Sequence, residues 1–251
     1  MIRIERRGRL GVLTLDKPRG NAIDPPLVEA LIDAARQFRN DGEVRGVLLA
    51  SAHAKLFSPG LDLVTLVEFD RPAMEHFMLR FAEMVWALYS LPKPMLAAVS
   101  GPAIAGGCIL ALTADWRLLA RGARIGLNEV KVGVPLPWSV AVLLKASVPP
   151  HALARVALLG RNFADEEALA AGLADELAAA DGLSAVASAR LEEFAEKDPA
   201  SFAGIKSALR EANLASMRAE ESARLGSWLD GWFSEPTQTR IRTIVASISK
   251  R

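Results

Sequence analysis

Cysteine is nearly absent from the 251-residue chain: Cys108 is the only one. An internal disulfide and any cysteine-cluster metal site are thereby excluded. The three histidines, His53, His76 and His151, lie far apart and show no H-x-x-x-H spacing. No histidine metal site is expected. Net charge is equally scarce. There are 30 Lys+Arg against 29 Asp+Glu, which leaves no long-range field to gather nucleic acid or an anionic membrane. No uninterrupted apolar run reaches the ~18 residues of a membrane span, and the opening MIRIERRGRL lacks the apolar core of a signal peptide. A cytoplasmic protein with neither nucleic-acid nor membrane partners is expected.

Apolar residues are plentiful, at 51%, enough for a large core in one domain or one domain with a small appendage. IRIERRGRLGVLTLD reads as two strands around a Gly-containing turn. NAIDPPLVEALIDAARQF follows as a helix, with Asp24 as N-cap and Pro25 at its first position. VRGVLLAS and MLAAVSG read as buried strands, RPAMEHFMLRFAEMVWALYSL as a long helix between them, GGCILALTA as a further helix and WRLLA as a third strand. This β-α-β-α-β order predicts an α/β fold with parallel pairing. After about residue 135 nearly everything reads as helical, including PHALARVALLG and DEEALAAGLADEL. Asp198-Pro199 marks a boundary, dividing a core over 1–197 from a helical segment over 198–251. Leu225, Trp228, Leu229, Trp232 and Phe233 give that segment an aromatic surface, read as a contact between subunits; packing back on the same chain is the alternative.

Three short stretches carry the chemistry. FSPGLDL (57–63) lies beyond a buried strand, at the end where α/β sheets bind ligands. Pro59-Gly60 forces a turn that can aim the Leu61 amide outward, although an ordinary loop with Asp62 capping a helix fits the same residues. AGGC (105–108) also follows a buried strand and opens a helix, whose first N–H groups are unpaired and partially positive. Glycine lets a ligand approach that backbone. Two such amides from adjacent strand ends could converge on one oxygen, which is the plan of an oxyanion hole. Glu129 follows the extended piece ARIGLN. A solvated Glu is the ordinary reading; across an apolar pocket from the two amides its pKa would rise and it could exchange protons with a carbon acid.

Together with NAID, these stretches (FSPGLDL, VSGPAIAGGCILALTADWRLLA and IGLNEVKVGV, in that order) resemble the crotonase (enoyl-CoA hydratase/isomerase) superfamily over nearly the whole chain. The resemblance implies a spiral of ββα units with a C-terminal helical trimerisation region, and hence a homotrimer or a dimer of trimers. It implies an acyl-CoA thioester as substrate, with coenzyme A part of that substrate and no separate cofactor. The Leu61 and Gly106 amides would form the oxyanion hole, and Phe57, Ser58, Pro59, Ile109, Leu136 and Trp138 would line the substrate pocket. Typical hydratases of the superfamily carry two glutamates, one at the position of Ile109 and one at Glu129. Only the second is present here, closest to Δ3,Δ2-enoyl-CoA isomerases, in which one base shifts a double bond. A different crotonase reaction (hydration or thioester hydrolysis) and a non-catalytic acyl-CoA-binding protein are the other readings. Pro59 departs from the small residue common in the oxyanion loop and removes one donor near the coenzyme path.

Overall fold

The computed structural model describes residues 1–18 and 20–248. β1 (Ile2–Arg7) and β2 (Leu10–Leu15) form an antiparallel hairpin that turns at Gly8, whose φ of 60° suits glycine. From β2 onward the main sheet is parallel. β3 (Gly46–Ser51) pairs with β2, β4 (Met95–Val99) with β3, and β6 (Trp116–Ala120) with β4. Helices α1 (Pro25–Asn40), the single-turn α2 (Leu63–Leu66), α3 (Arg71–Tyr89) and α4 (Gly106–Leu112) connect them, so the α/β class expected from the sequence is the class found. Asp24 caps α1 through Leu27 N–H at 3.1 Å, with Pro25 opening the helix. Its Leu27, Leu31, Ala34 and Ala35 are buried, as their spacing predicts.

The expectation of nearly continuous helix beyond residue 135 is corrected by two short strands. α5 (Glu129–Val132), α6 (Trp138–Ser147) and α7 (Pro150–Leu153) are followed by a π-helical turn over Ala154–Leu158. α8 stops early (Asp165–Ala170), because Gly172 takes φ 69° and its N–H closes on Leu169 O. The chain is thereby released into β9 (Glu176–Ala178), which pairs parallel with β6 and completes the order β1-β2-β3-β4-β6-β9. A second, three-stranded sheet joins β5 (Ala103–Ile104), β7 (Arg124–Gly126) and β8 (Phe163–Ala164). Two- and three-residue strands carry too little alternation to show in a sequence. α9 (Leu183–Ala195) precedes the C-terminal helices.

α10 is one helix of 34 residues, Pro199–Trp232. Asp198 caps it through Ser201 N–H at 2.8 Å, and neither Pro nor Gly interrupts it between Arg210 and Leu225. α11 (Glu235–Ile248) turns back after it. The aromatic surface expected to face another subunit faces this chain instead. Trp228 and Trp232 are buried, stacked at 5.5 Å between ring centroids, and Trp228 Nε1 donates to Pro135 O at 2.8 Å. Leu225 and Leu229 are buried with them and Phe233 packs against the core. Gly231 is required at its place in α10, since a Cβ there would lie 2.9 Å from Pro135 Cγ. Among the described residues no helix is long and apolar enough to cross a membrane.

Candidate active site

Three chain segments are stitched side by side at the C-terminal ends of the central strands. Asn21, buried in the NAID stretch, donates from Nδ2 to Phe57 O at 2.8 Å and to Ser51 Oγ at 2.9 Å. Ser58 forms a parallel bridge with Ala103: its N–H donates to Pro102 O and its carbonyl accepts from Ile104 N–H. Ile104 then pairs with Gly126, and Ala105 N–H donates to Gly126 O at 2.9 Å. Residues 58–61, 103–106 and 125–129 are therefore neighbours by backbone pairing, and Glu129 leaves the last of them as the first residue of α5.

Leu61 sits in a second parallel bridge, with Ile23. Such a bridge uses the flanking groups: Ile23 N–H donates to Gly60 O, and Asp62 N–H to Ile23 O. The Leu61 N–H is left over. Gly106 opens α4, so its N–H has no intrahelical acceptor. Neither N–H has an acceptor among the described residues. They are held close by glycine. A Cβ on Gly60, which has φ 99°, would lie 3.0 Å from Ile104 O and 3.1 Å from Gly106 N. A Cβ on Gly107 would lie 2.2 Å from Ser58 O. The Gly-Gly pair is thus a requirement of the loop that lies on it. Ala105, just before, adopts φ 50° and ψ −118°, a conformation costly for a residue with a side chain, and it turns the chain into α4.

A cleft of 1090 Å³ opens over these groups, large for a small-molecule site. Pro59, Leu61, Gly106, Ile109 and Glu129 all line it. Its walls come from Met78 and Phe81 of α3, from Trp228 and Trp232 of α10, and from Ile244 and Ile248 of α11. The sequence reading did not place these six there; no local pattern separates a helix residue facing a cleft from one facing the core. Four expected pocket residues are elsewhere. Phe57 is fully buried in the core, and Ser58 points its hydroxyl at Asn21 O, 2.8 Å away. Leu136 packs against the core between Pro135 and Pro137, which do line the cleft. Trp138 turns towards α10, donating to Ser216 at 3.2 Å with the Arg224 guanidinium over its ring.

Two carboxylates line the cleft among the described residues, Asp62 and Glu129. Asp62 is engaged: it accepts from Lys17 Nζ at 3.1 Å and caps α2 through Thr65 N–H. Glu129 is not. The residue is half-buried, but its Oε2 is shut off from water and has no hydrogen-bond partner. Burial pushes its pKa up to about 7 from 4.5, against a smaller opposing pull from its own backbone N–H. The C-terminal helix steadies this group: Thr237 Oγ1 donates to the carbonyl of Gly133, the left-handed residue that ends α5, at 2.9 Å. Ile109, on α4, is 3% exposed and presents hydrocarbon to the cleft. Among the described residues no three His, Cys, Asp or Glu gather as a metal site would require. A basic carboxylate that lines one largely apolar cleft with two free N–H groups can take a proton from carbon while an adjoining oxygen gathers the charge.

Comparisons with known proteins agree in kind. The model of the enoyl-CoA hydratase/isomerase family matches residues 5–228. A carnitinyl-CoA dehydratase of Salmonella typhi is 32% identical over 224 residues, which are 89% of this chain and 84% of that protein. An enoyl-CoA hydratase from Mycobacterium ulcerans superposes with a TM-score of 0.83 at 28% identity, covering 90% of this chain and 98% of the other. Human mitochondrial delta3-delta2-enoyl-CoA isomerase superposes with a TM-score of 0.95 over 99% of this chain and 98% of its own; at 23% identity that likeness concerns the fold.

Proposed function

The chain belongs to the enoyl-CoA hydratase/isomerase family, whose crotonase-like spiral of ββα units it shares, and we propose that within this family it is a Δ3,Δ2-enoyl-CoA isomerase. The observation that carries the proposal is the solitary free carboxylate. Glu129 is the only carboxylate of the cleft, among the described residues, that no cation and no other residue's N–H engages. The thioester oxygen of a 3-enoyl-CoA accepts from Leu61 and Gly106 N–H. Glu129 takes a proton from C2, the C–H electron pair forms the C1–C2 double bond of a dienolate conjugated with C3–C4, and the thioester oxygen carries the charge. The same carboxylic acid returns the proton to C4, leaving 2-trans-enoyl-CoA. No other reactant enters. Each amide stabilises the dienolate by roughly 3 kcal/mol, and the base contributes about 10²–10⁴-fold. A pKa near 7 fits a group that must both take and give a proton at neutral pH. Adding water at C3 needs a second group to activate it, and Ile109 supplies none.

The likeness to a dehydratase supports a second reading, addition or elimination of water across the same double bond. Incubating the purified protein with 3-enoyl-CoA and with 2-enoyl-CoA separately distinguishes them. Conversion of the first to 2-trans-enoyl-CoA, with little 3-hydroxyacyl-CoA from the second, is the expected result; 3-hydroxyacyl-CoA as the main product favours the second reading.

Assembly as a homotrimer or a dimer of trimers remains part of the proposal. Its support is now the exposed Ile205 and Leu209 on α10, since Trp228 and Trp232 serve the chain's own cleft. Light scattering should give a trimer or hexamer; a monomer at micromolar concentration overturns it.

A further inference from the structure

A second cavity, of 240 Å³, lies at the opposite end of the main sheet from the cleft, where residues 44–45 lead into β3 and residues 92–94 lead into β4. It shares no lining residue with the cleft. Four of its lining side chains are cationic, Arg39, Arg45, Lys93 and Lys197, and no Asp or Glu lines it. The whole chain balances 30 Lys+Arg against 29 Asp+Glu, so this is a local surplus. Elsewhere carboxylates meet the arginines: Glu192 meets Arg9, Glu29 meets Arg80 and Glu176 meets Arg190. Among the described residues none of the four cations around the cavity forms an ion pair.

These charges are positioned but not neutralised. Arg39 Nη2 donates to Ser90 O and Oγ, at 2.9 and 2.8 Å, and Arg45 Nη2 donates to Lys197 O at 3.2 Å. Lys93 Nζ donates to Phe38 O at 2.6 Å and to Asp41 O. Every acceptor is a neutral oxygen. A guanidinium has five N–H donors, so Nε and Nη1 of both arginines are left over, among the described residues. The carboxylates closest in the chain are engaged elsewhere: Asp41 Oδ1 accepts from Glu43 N–H, and Asp198 Oδ1 caps α10. Burial, and then the Arg218 charge, hold the Arg39 pKa below its ordinary value. Burial lowers that of Lys93 as well, with Arg45 adding to the effect and Asp41 opposing it. Unneutralised cations around one cavity are the arrangement that a polyvalent anion relieves.

The rest of the lining is largely apolar. Phe194 and Phe202 meet edge to face with ring centroids 6.4 Å apart, and three prolines stand with them. The volume is below the roughly 300–1,000 Å³ of sites for drug-sized ligands, so one ring with one charged group suits it. A carboxylate brings a single charge. A phosphate monoester brings a charge of about −1.5 to −2 at pH 7 and three acceptor oxygens, which suit guanidinium forks. We infer that this cavity is a second binding site, for a small phosphate monoester of a ring compound, with the phosphate among Arg39, Arg45 and Lys197 and the ring against Phe194 and Phe202. The inference does not rest on the acyl-CoA reading.

The test is calorimetric binding of phenyl phosphate to the full chain, beside its two halves, phenol and inorganic phosphate. The native protein should bind phenyl phosphate about tenfold or more tightly than either half. In the double variant Arg45→Gln with Lys197→Gln, which removes two cations and leaves the rings, that affinity should fall by about tenfold or more, as the loss of charge-assisted hydrogen bonds implies. Lys197→Gln alone changes an exposed side chain and should weaken binding a few-fold. Failure of the native protein to bind phenyl phosphate overturns the inference. Equal affinity for phenyl phosphate and inorganic phosphate means an adventitious ion only and overturns it too; neither result requires a variant to fold. Undiminished affinity in both variants places the binding elsewhere and also overturns it.

Discussion

The floor of the cleft and its far wall are built by different means. The floor is two backbone N–H groups and one carboxylate carried next to them, positioned by short parallel bridges among residues 58–61, 103–106 and 125–129. The wall is side chain: Trp228, Trp232, Ile244 and Ile248, carried by helices that reach the site from the end of the chain. The floor tolerates almost no added volume, because glycine is what lets its strands touch. The wall is a packed apolar surface that can change shape at modest cost. Chemistry therefore belongs to the floor, and choice of substrate to the wall.

The largest separation between the two should come from Glu129→Gln. Isomerisation falls by 10²–10⁴-fold or more, while the affinity for an unreactive acyl-CoA stays within a few-fold, since the wall is intact. Stability should move the other way. A carboxyl whose pKa is raised in the folded state, here to about 7 from 4.5, weakens the protein as pH climbs between those values and holds it weakened above them. The corresponding loss is about 3 kcal/mol. Urea unfolding of the native protein should show this decline, and Glu129→Gln should lack it, making the variant the more stable one above about pH 7. Equal pH dependence in both proteins would break the assignment of the buried charge to Glu129.

Gly60→Ala tests the floor's intolerance. Its φ of 99° and the 3.0 Å approach to Ile104 O leave no place for a methyl group, so the Leu61 and Gly106 amides must part. Turnover should fall on the order of 10²-fold, the worth of one oxyanion donor, with stability lower by on the order of 1–3 kcal/mol. A smaller change in KM than in kcat is the expected kinetic pattern.

Thr237→Val probes a place where the C-terminal helices hold the turn after Glu129. It removes the bond to Gly133 O and little volume. A loss of about 1 kcal/mol in stability is expected, with a few-fold drop in kcat as α5 loosens around Glu129. Undiminished kcat with the same stability loss would show that the grip serves the fold alone.

The difference between floor and wall also decided what could be read from the sequence. Gly60, Gly106, Gly107 and Glu129 are visible because each answers a local demand: a turn, a close approach, a helix start. The helices α1, α3 and α6 and the four central strands are visible because their apolar spacing is long enough to show a period. β5, β7, β8 and β9 are too short for that, and Gly172, which ends α8, lies inside a stretch that reads as continuous helix. Trp228 and Trp232 were seen as needing a partner, but helical spacing states that a face is apolar and not what covers it. Phe57, Ser58, Leu136 and Trp138 lie next to cleft residues in the chain and turn away from the cleft. Adjacency along an irregular segment does not determine direction.

A single group doing both halves of the proton transfer is the centre of this account, and the pH dependence of kcat/KM for 3-enoyl-CoA tests it most directly, because it reports the ionisations of the free enzyme. One ascending limb is predicted, with its midpoint near the value of about 7 that burial gives Glu129, followed by a plateau. A bell-shaped profile would reveal a second essential ionising group, and a midpoint near the ordinary carboxylate value of 4.5 would show that the working base is not the buried Glu129; either result would contradict it.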